Sequence, residues 1–200
     1  MRSLRVGTTN PGKLEELRQL LAPAGYTVRG IDDLEGFAVI EDGATFAVNA
    51  VKKAEAVVAA TGEAAVADDS GLVVDALNGA PGVHSARYAG VVGPGQDAAN
   101  RRKLLEALAG VAPDRRSARF VCALAYCRPG EAPHVVTKTV EGAIGFEERG
   151  HNGFGYDSLF ILSAYGRTAA EVSAEEKHRV SHRGQAIRAL AEFLAGLERS

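Results

Sequence analysis

Three observations on this 200-residue chain predict an α/β fold built on a mixed sheet. Apolar strand-like runs and helix-spaced leucines alternate along the whole length. The run from Phe120 to Cys127 is apolar at almost every position, as in a strand covered on both faces. Helix-capping residues stand at the heads of the periodic stretches. A hydrophobic content of 46% allows a substantial core, and the length fits one enzyme-sized unit, read as a single domain over 1–200.

The elements follow in order. Leu4 to Thr8 reads as a first strand, leading into Thr9-Asn10-Pro11-Gly12-Lys13, where Asn10 suits a helix cap and Pro11 the first helical position. Leu14, Leu17, Leu20 and Leu21 then recur at helical spacing. Thr27 to Ile31 reads as a second strand, followed by an acidic loop that ends at Glu41-Asp42-Gly43. Thr45 suits the cap of a helix whose inward stripe is Phe46, Ala50, Val51, Ala54, Val57 and Val58, with Asn49, Lys52 and Lys53 at its borders. A strand from Ala64 to Ala67 is expected to stop at a glycine turn containing Asp68, Asp69, Ser70 and Gly71, and to resume over Leu72 to Val74. A helix from about Asp97 carries Leu104, Leu105 and Leu108. The strands Ala118 to Cys127 and His134 to Glu141 are joined by Arg128-Pro129-Gly130, and the more alternating second strand belongs nearer an edge. A glycine-rich loop covers Gly150 to Tyr156. The last helix starts at about Gly184 and carries Ile187, Leu190, Leu194 and Leu197.

Composition excludes several classes of function. A net charge of −2 gives no support to a general binder of nucleic acid or anionic membrane. The longest apolar run is far short of the ~20 residues of a membrane helix, and the N-terminus lacks the apolar core of a secretion signal, so a cytoplasmic location is expected. Cys122 and Cys127 are an odd number of positions apart on one strand, so they point to opposite faces and share neither a disulfide nor a metal. The five histidines show no zinc-site spacing.

The chemistry concentrates in three places. Asp68 and Asp69 put two like charges at the end of a buried run, which calls either for a hard divalent cation such as Mg²⁺ or for a turn in which Asp68 and Ser70 bond to nearby amides. The turn before Lys13 offers Thr8, Thr9 and Asn10 beside helix amides, a phosphate seat or an ordinary capped helix. Gly153-Phe154-Gly155-Tyr156-Asp157 offers aromatics, and Lys177, Ser181, His182 and Arg183 offer donors, for a nucleobase or for the core.

Considered together, these segments narrow the reading. Thr8-x-Asn10-x-x-Lys13, Glu41 with Phe46-x-x-Asn49-Ala50-x-x-Lys53-Ala54, Asp68-Asp69-Ser70-Gly71-Leu72, Gly153-Phe154-Gly155-Tyr156-Asp157 and Ser181-His182-Arg183 occur in this order. In this the chain resembles the inosine triphosphate pyrophosphatase family, the noncanonical purine nucleoside triphosphate pyrophosphatases. The stretch Pro81-Gly82-Val83-x-Ser85-Ala86-Arg87-Tyr88 is similar as well. Ser158, where the family loop usually continues with proline, and His84, where an aromatic is common, depart from the pattern.

The resemblance implies an elongated two-lobed structure with a central cleft, usually a homodimer. It also implies Mg²⁺-dependent hydrolysis of ITP, dITP and XTP to the monophosphate and pyrophosphate. Carried over by motif, Thr8, Thr9, Asn10, Pro11, Gly12, Lys13 and Lys53 would hold the triphosphate. Glu41 and Asp69 would hold the metal, and Asp69 would activate water. Ser70, Phe154, Gly155, Tyr156, Asp157, Lys177, His182 and Arg183 would contact the rest of the substrate. A nucleotide sensor without catalysis, and a pyrophosphatase for modified pyrimidine triphosphates, are the alternative readings.

Overall fold

The computed structural model describes residues 2–197. The strands are β1 (Arg2–Val6), β2 (Tyr26–Arg29), β3 (Ala65–Val74), β4 (Ser117–Cys127), β5 (His134–Ile144), β6 (Phe160–Leu162) and β7 (Arg167–Thr168). The helices are α1 (Pro11–Leu21), α2 (Phe46–Thr61), α3 (Gln96–Ala107), α4 (Ala174–Val180) and α5 (His182–Leu197). The strands form one seven-stranded sheet in the order β2-β1-β3-β4-β5-β6-β7. It is mixed, as expected: β1 runs parallel to β2 and β3, whereas β6 runs antiparallel to β5 and β7.

The described residues divide into two compact units. One comprises 2–69, 122–138 and 183–197, and the other comprises Ser70–Val121 and Thr139–His182, so the boundaries fall within β3, β4 and β5 and after the first residue of α5.

In the first unit, alternation along the strands builds two different faces. Leu4, Val6, Val66, Cys122 and Leu124 pack with Leu14, Leu17 and Leu21 of α1 and with Ala186, Ile187, Leu190 and Leu194 of α5. The next residues along the strands, Ala67, Ala123, Ala125 and Cys127, pack with Ala50 and Ala54 of α2. Small side chains on both partners let α2 lie close to the sheet. The two cysteines thus face opposite ways, as their spacing predicts, and both are buried. Asn10 caps α1 by accepting the Lys13 N–H at 3.1 Å, Pro11 occupies its first turn, and the Thr45 hydroxyl accepts the Val48 N–H at 3.2 Å to start α2.

The second unit has its own core, in which Leu72, Val74, Leu104, Leu108, Phe120, Ile144, Tyr156, Leu159 and Phe160 are buried together. The rings of Phe120 and Phe160 lie 4.4 Å apart between centroids. Strand β6 meets β5 only over Gly142–Ile144, which leaves the earlier part of β5 with the edge character read from its alternation.

Four expectations are corrected. Strand β3 does not stop at Asp68 but runs unbroken through Gly71 to Val74. Its pairing with β1 ends at Val66, so β4, its other neighbour in the sheet, carries it on against the poor strand propensity of aspartate and glycine. The second strand covers Tyr26–Arg29 and ends before Ile31, whose side chain is buried with Val57 and Ala65. Helix α4 falls where no element was expected, because seven residues with four charges carry no apolar period. Its signal was instead the capping box of Ser173 and Glu176. Finally, α5 begins at His182, two residues before the glycine taken as its start.

Candidate active site

The site in the first unit arises where β1 stops and β3 continues. Their last paired residues are Val6 and Val66, and the Gly7 N–H donates to the Val66 carbonyl at 2.8 Å. Asp68 and Asp69 therefore lie on β3 just past the end of β1, where the chain turns through Thr8 and Asn10 into α1. Helix α1 returns to β2 over one face of the sheet and α2 returns to β3 over the other, so this step is a topological switch point of a parallel array.

The adjacent aspartates do not share one environment. Continuing the alternation from Val66 and Ala67, Asp68 faces α1 and α5, and Asp69 faces α2. Asp68 Oδ2 lies 3.0 Å from Lys13 Nζ and 3.4 Å from Arg183 Nε. Arg183 is buried, and its Nη1 also donates to Glu16 Oε2 at 2.5 Å. Burial alone would lower the Arg183 pKa, but Asp68 and Glu16 hold it above the ordinary arginine value. On the other face, Asp69 Oδ2 accepts from Asn49 Nδ2 at 3.1 Å, and Oδ1 lies 3.5 Å from Lys53 Nζ. Lys53 also donates to Glu41 Oε2 at 3.1 Å.

Asn49 ties these parts together. It is fully buried, and its Oδ1 accepts the Gly43 N–H at 2.8 Å while its amide holds Asp69, so one side chain fixes both the strand acid and the loop that carries Glu41. A Cβ at Gly43 would lie 2.5 Å from that Oδ1, which is why the position needs glycine. Lys52 and Asp42 form a second tie between loop and helix. Burial raises the Asp69 carboxyl above its usual range, against the opposing pull of Lys53 and the Asn49 hydrogen bond. For Lys53, burial lowers the ammonium pKa, but the charges of Asp68, Asp69 and Glu41 outweigh it and leave a net rise.

Glu41 and Asp69 offer hard oxygen donors that bear on the same ammonium, so the two carboxylates converge. Among the described residues, no three His, Cys, Asp or Glu side chains are grouped to hold a metal. Two carboxylates without further protein ligands fit a cation such as Mg²⁺, which keeps waters and takes phosphate oxygens in its remaining positions, and not a closed structural site. Beside them, the Thr8 hydroxyl accepts the Asn10 N–H at 3.2 Å, and Thr9 and Pro11 are exposed at the head of α1, with Gly12 half-buried.

The second unit gathers the remaining predicted residues. Asp157 Oδ2 accepts from Lys177 Nζ at 2.6 Å and from the Phe154 N–H at 2.9 Å. Gly153 has φ of +78°, and a Cβ there would lie 2.1 Å from the same oxygen, so both conformation and space demand glycine. Lys177 Nζ lies 5.0 Å from the centroid of the Phe154 ring, which is half-buried. Tyr156, by contrast, is a core residue: its hydroxyl donates to the Ser85 carbonyl at 2.7 Å, and burial pushes its pKa up. The His182 ring stacks on Phe120, with centroids 4.9 Å apart. Ser70 is half-buried on β3.

Of the residues picked out by motif, Lys13, Glu41, Lys53, Asp69 and Arg183 lie in one unit, and Ser70, Phe154, Gly155, Tyr156, Asp157, Lys177 and His182 in the other. The roles carried over by motif did not include Asn49, Glu16 or Asp68, the last read only as a cation ligand or a turn acid, although all three anchor the charged groups. For Asp68 the missing signal was strand alternation, which only a strand running through the acids makes visible. The other two were legible only as helix residues.

Comparison with known proteins agrees over almost the full length. The model of the Ham1 family matches residues 4–193. A dITP/XTP pyrophosphatase of Desulforamulus reducens is 50% identical over 192 residues, which cover 96% of this chain and 94% of that protein. A dITP/XTP pyrophosphatase of Bacillus subtilis is 45% identical over 196 residues, covering 97% and 98%. Among solved structures, a HAM1 protein from Coxiella burnetii superposes with a TM-score of 0.89 at 40% identity, covering 98% of this chain and 100% of that one.

Proposed function

The chain belongs to the Ham1 family, and from that premise we propose that it hydrolyses deaminated purine nucleoside triphosphates, ITP, dITP and XTP, to the monophosphate and pyrophosphate. The observation that carries this reading is the meeting, at one step in the sheet, of a capped helix N-terminus, two lysines and two carboxylates on opposite faces of β3. Such a set binds a polyphosphate and can activate water beside it. The D. reducens and B. subtilis relatives carry the names of enzymes that act on dITP and XTP, which supports the choice of base.

In this proposal Thr8 to Lys13 and Lys53 hold the triphosphate through α1 amides, hydroxyls and two ammonium groups. Glu41 and Asp69 would hold Mg²⁺, which when bound supplies a Lewis acid that neutralises phosphate charge. Asp69 takes a proton from water as the water oxygen bonds to the α-phosphorus. The α–β bridging oxygen then leaves with pyrophosphate, and the monophosphate retains the new P–O bond. Asn49 keeps the Asp69 carboxylate oriented, and Arg183 and Lys13 together hold the Asp68 carboxylate in place.

Phe154, Gly155, Asp157, Lys177 and His182 are assigned to the base and sugar, with Ser70 and Arg183 as further contacts and Tyr156 supporting them from the core. A 6-keto purine presents an acceptor where adenine presents an amino donor, so a site rich in donors leaves adenine's amino group unpaired. One such buried mismatch costs about 1–3 kcal/mol. The catalytic unit is taken to be the single domain 1–200, working as a homodimer in the cytoplasm, where nucleotide pools are drawn on.

The test is pyrophosphate release from a panel of ITP, dITP, XTP, GTP, ATP and modified pyrimidine triphosphates, with and without Mg²⁺. ITP or XTP is expected to be turned over with Mg²⁺, and ATP hardly at all. Orthophosphate as the direct product, or equal turnover of ATP, would overturn the assignment, and binding without turnover would make the chain a sensor.

A further inference from the structure

Two residues of α3 with no part in the site as described, Asp97 and Arg101, grip the backbone of the glycine-rich loop. Asp97 Oδ2 accepts the Gly155 N–H at 2.8 Å, and Arg101 Nη1 donates to the Gly155 carbonyl at 2.9 Å. The two side chains stand one helical turn apart on the same face, so a rigid element holds both polar groups of one peptide residue. A glycine with φ of +60° has no side chain of its own with which to anchor itself.

The grip is built in. The Arg101 side chain is only 19% exposed, and its Nε lies 2.9 Å from Glu148 Oε2. The same carboxylate oxygen accepts from Ser158 Oγ at 3.1 Å. Ser158 is the position at which the chain departs from proline, so a link to α3, a hydrogen bond to Glu148 followed by the ion pair of Glu148 with Arg101, stands where a ring would have stiffened the loop. Helix α3 is itself fixed: Asn100 Oδ1 accepts the Ala89 N–H at 2.7 Å, and its Nδ2 donates to the Ala86 carbonyl at 2.9 Å and to the Ser85 carbonyl at 3.3 Å. The Ser85 carbonyl also receives the Tyr156 hydroxyl, which closes a ring from α3 through Ser85 and Tyr156 to Gly155 and back to α3. Arg101, Glu148, His151, Asn152, Phe154 and Asp157 border a cavity of about 280 Å³ beside this loop.

We propose that Asp97 and Arg101 are positioning residues for base recognition: they hold the loop of Phe154, Gly155 and Asp157 in its binding geometry, with Glu148 and Ser158 tying down its far end. This rests on the base-binding role assigned above to that loop. The consequence is selective for binding, because the clamp touches none of the groups assigned to phosphate, metal or water.

The test compares the full-length wild type with Arg101→Met, Arg101→Lys and Asp97→Asn by two readouts. Hydrogen exchange of residues 150–158, followed by mass spectrometry without nucleotide, reports the loop whatever the activity. Arg101→Met is expected to speed it about tenfold, the loss of roughly one charge-assisted hydrogen bond, with Asp97→Asn smaller in the same direction. Steady-state pyrophosphate release with Mg²⁺ is expected to show KM for ITP raised about tenfold with kcat within about twofold, partly restored in Arg101→Lys, which keeps one donor. Unchanged exchange in Arg101→Met, or a fall in kcat at constant KM, would overturn the inference. A wild type that releases no pyrophosphate from any purine triphosphate sinks the functional reading instead, and the exchange data still decide whether the clamp exists.

Discussion

Among single residues, the division of labour between Asp68 and Asp69 is the central feature. Asp68 is neutralised by Lys13 and Arg183, whereas Asp69 sits between an amide and Lys53 with burial raising its proton affinity. Asp69→Asn keeps the shape, so circular dichroism and melting should stay near the wild type while kcat falls by about 100-fold or more, the usual contribution of a general base. Near-normal turnover would remove Asp69 from that role. Asn49→Ala is the opposite kind of change, because it strips partners from the buried Asp69 carboxylate and from the Gly43 N–H. A loss of about 1–3 kcal/mol in urea unfolding is expected, together with a fall in activity. An Asn49→Ala protein as stable as the wild type would show that water replaces the amide.

Single elements show how a local signal becomes a site. The Asn10 cap and Pro11 set the first turn of α1, and that turn brings Lys13 to Asp68. Helix α4 is short and charged, so its start depends on the reciprocal capping of Ser173 and Glu176, and Lys177 in the following turn reaches Asp157. Ser173→Ala is therefore expected to lower stability by about 1 kcal/mol in thermal unfolding, and Ser173→Thr to restore most of it. The same substitution should raise KM for ITP, since a frayed α4 no longer holds the Lys177 ammonium on Asp157. A change in stability with KM unaltered would separate the cap from the site. These capping signals are written in neighbouring residues, which is why Asn10 and Thr45 could be read correctly, and why Ser173 could have been.

For the molecule as a whole, pairing across long stretches of chain decides stability and its response to pH. Buried Arg5 on β1 donates to Asp33 at 2.7 and 2.9 Å, to Glu63 at 3.1 Å and to the Gly30 carbonyl at 2.9 Å, tying the segments around β2 and α2 to the central strands. The Arg5 hydrogen bond holds the Asp33 carboxyl below its usual range. Its pKa is thus lower in the folded chain than in the unfolded one, so its stabilising contribution is full above about pH 4 and fades as the pH falls toward the folded value. Thermal unfolding followed from about pH 6 to about pH 3 should accordingly show a shallower acid decline for Asp33→Asn than for the wild type. Parallel slopes would mean that Arg5 does not depend on this partner.

Read by itself, the sequence determined the alternation of strands and helices, the caps at Asn10 and Thr45, the opposite facing of Cys122 and Cys127, and the set of motif residues from Lys13 to Arg183. All of these depend on periodicity or on neighbours within a few positions. Only the tertiary structure decided that β3 runs straight through Asp68-Asp69-Ser70-Gly71, because its ladder is supplied by strands distant in sequence. From that continuity comes the separation of two adjacent acids onto two faces, each with its own helix-borne cation. No local rule could foresee it, since the partners Lys13, Lys53 and Arg183 reach β3 from three different helices.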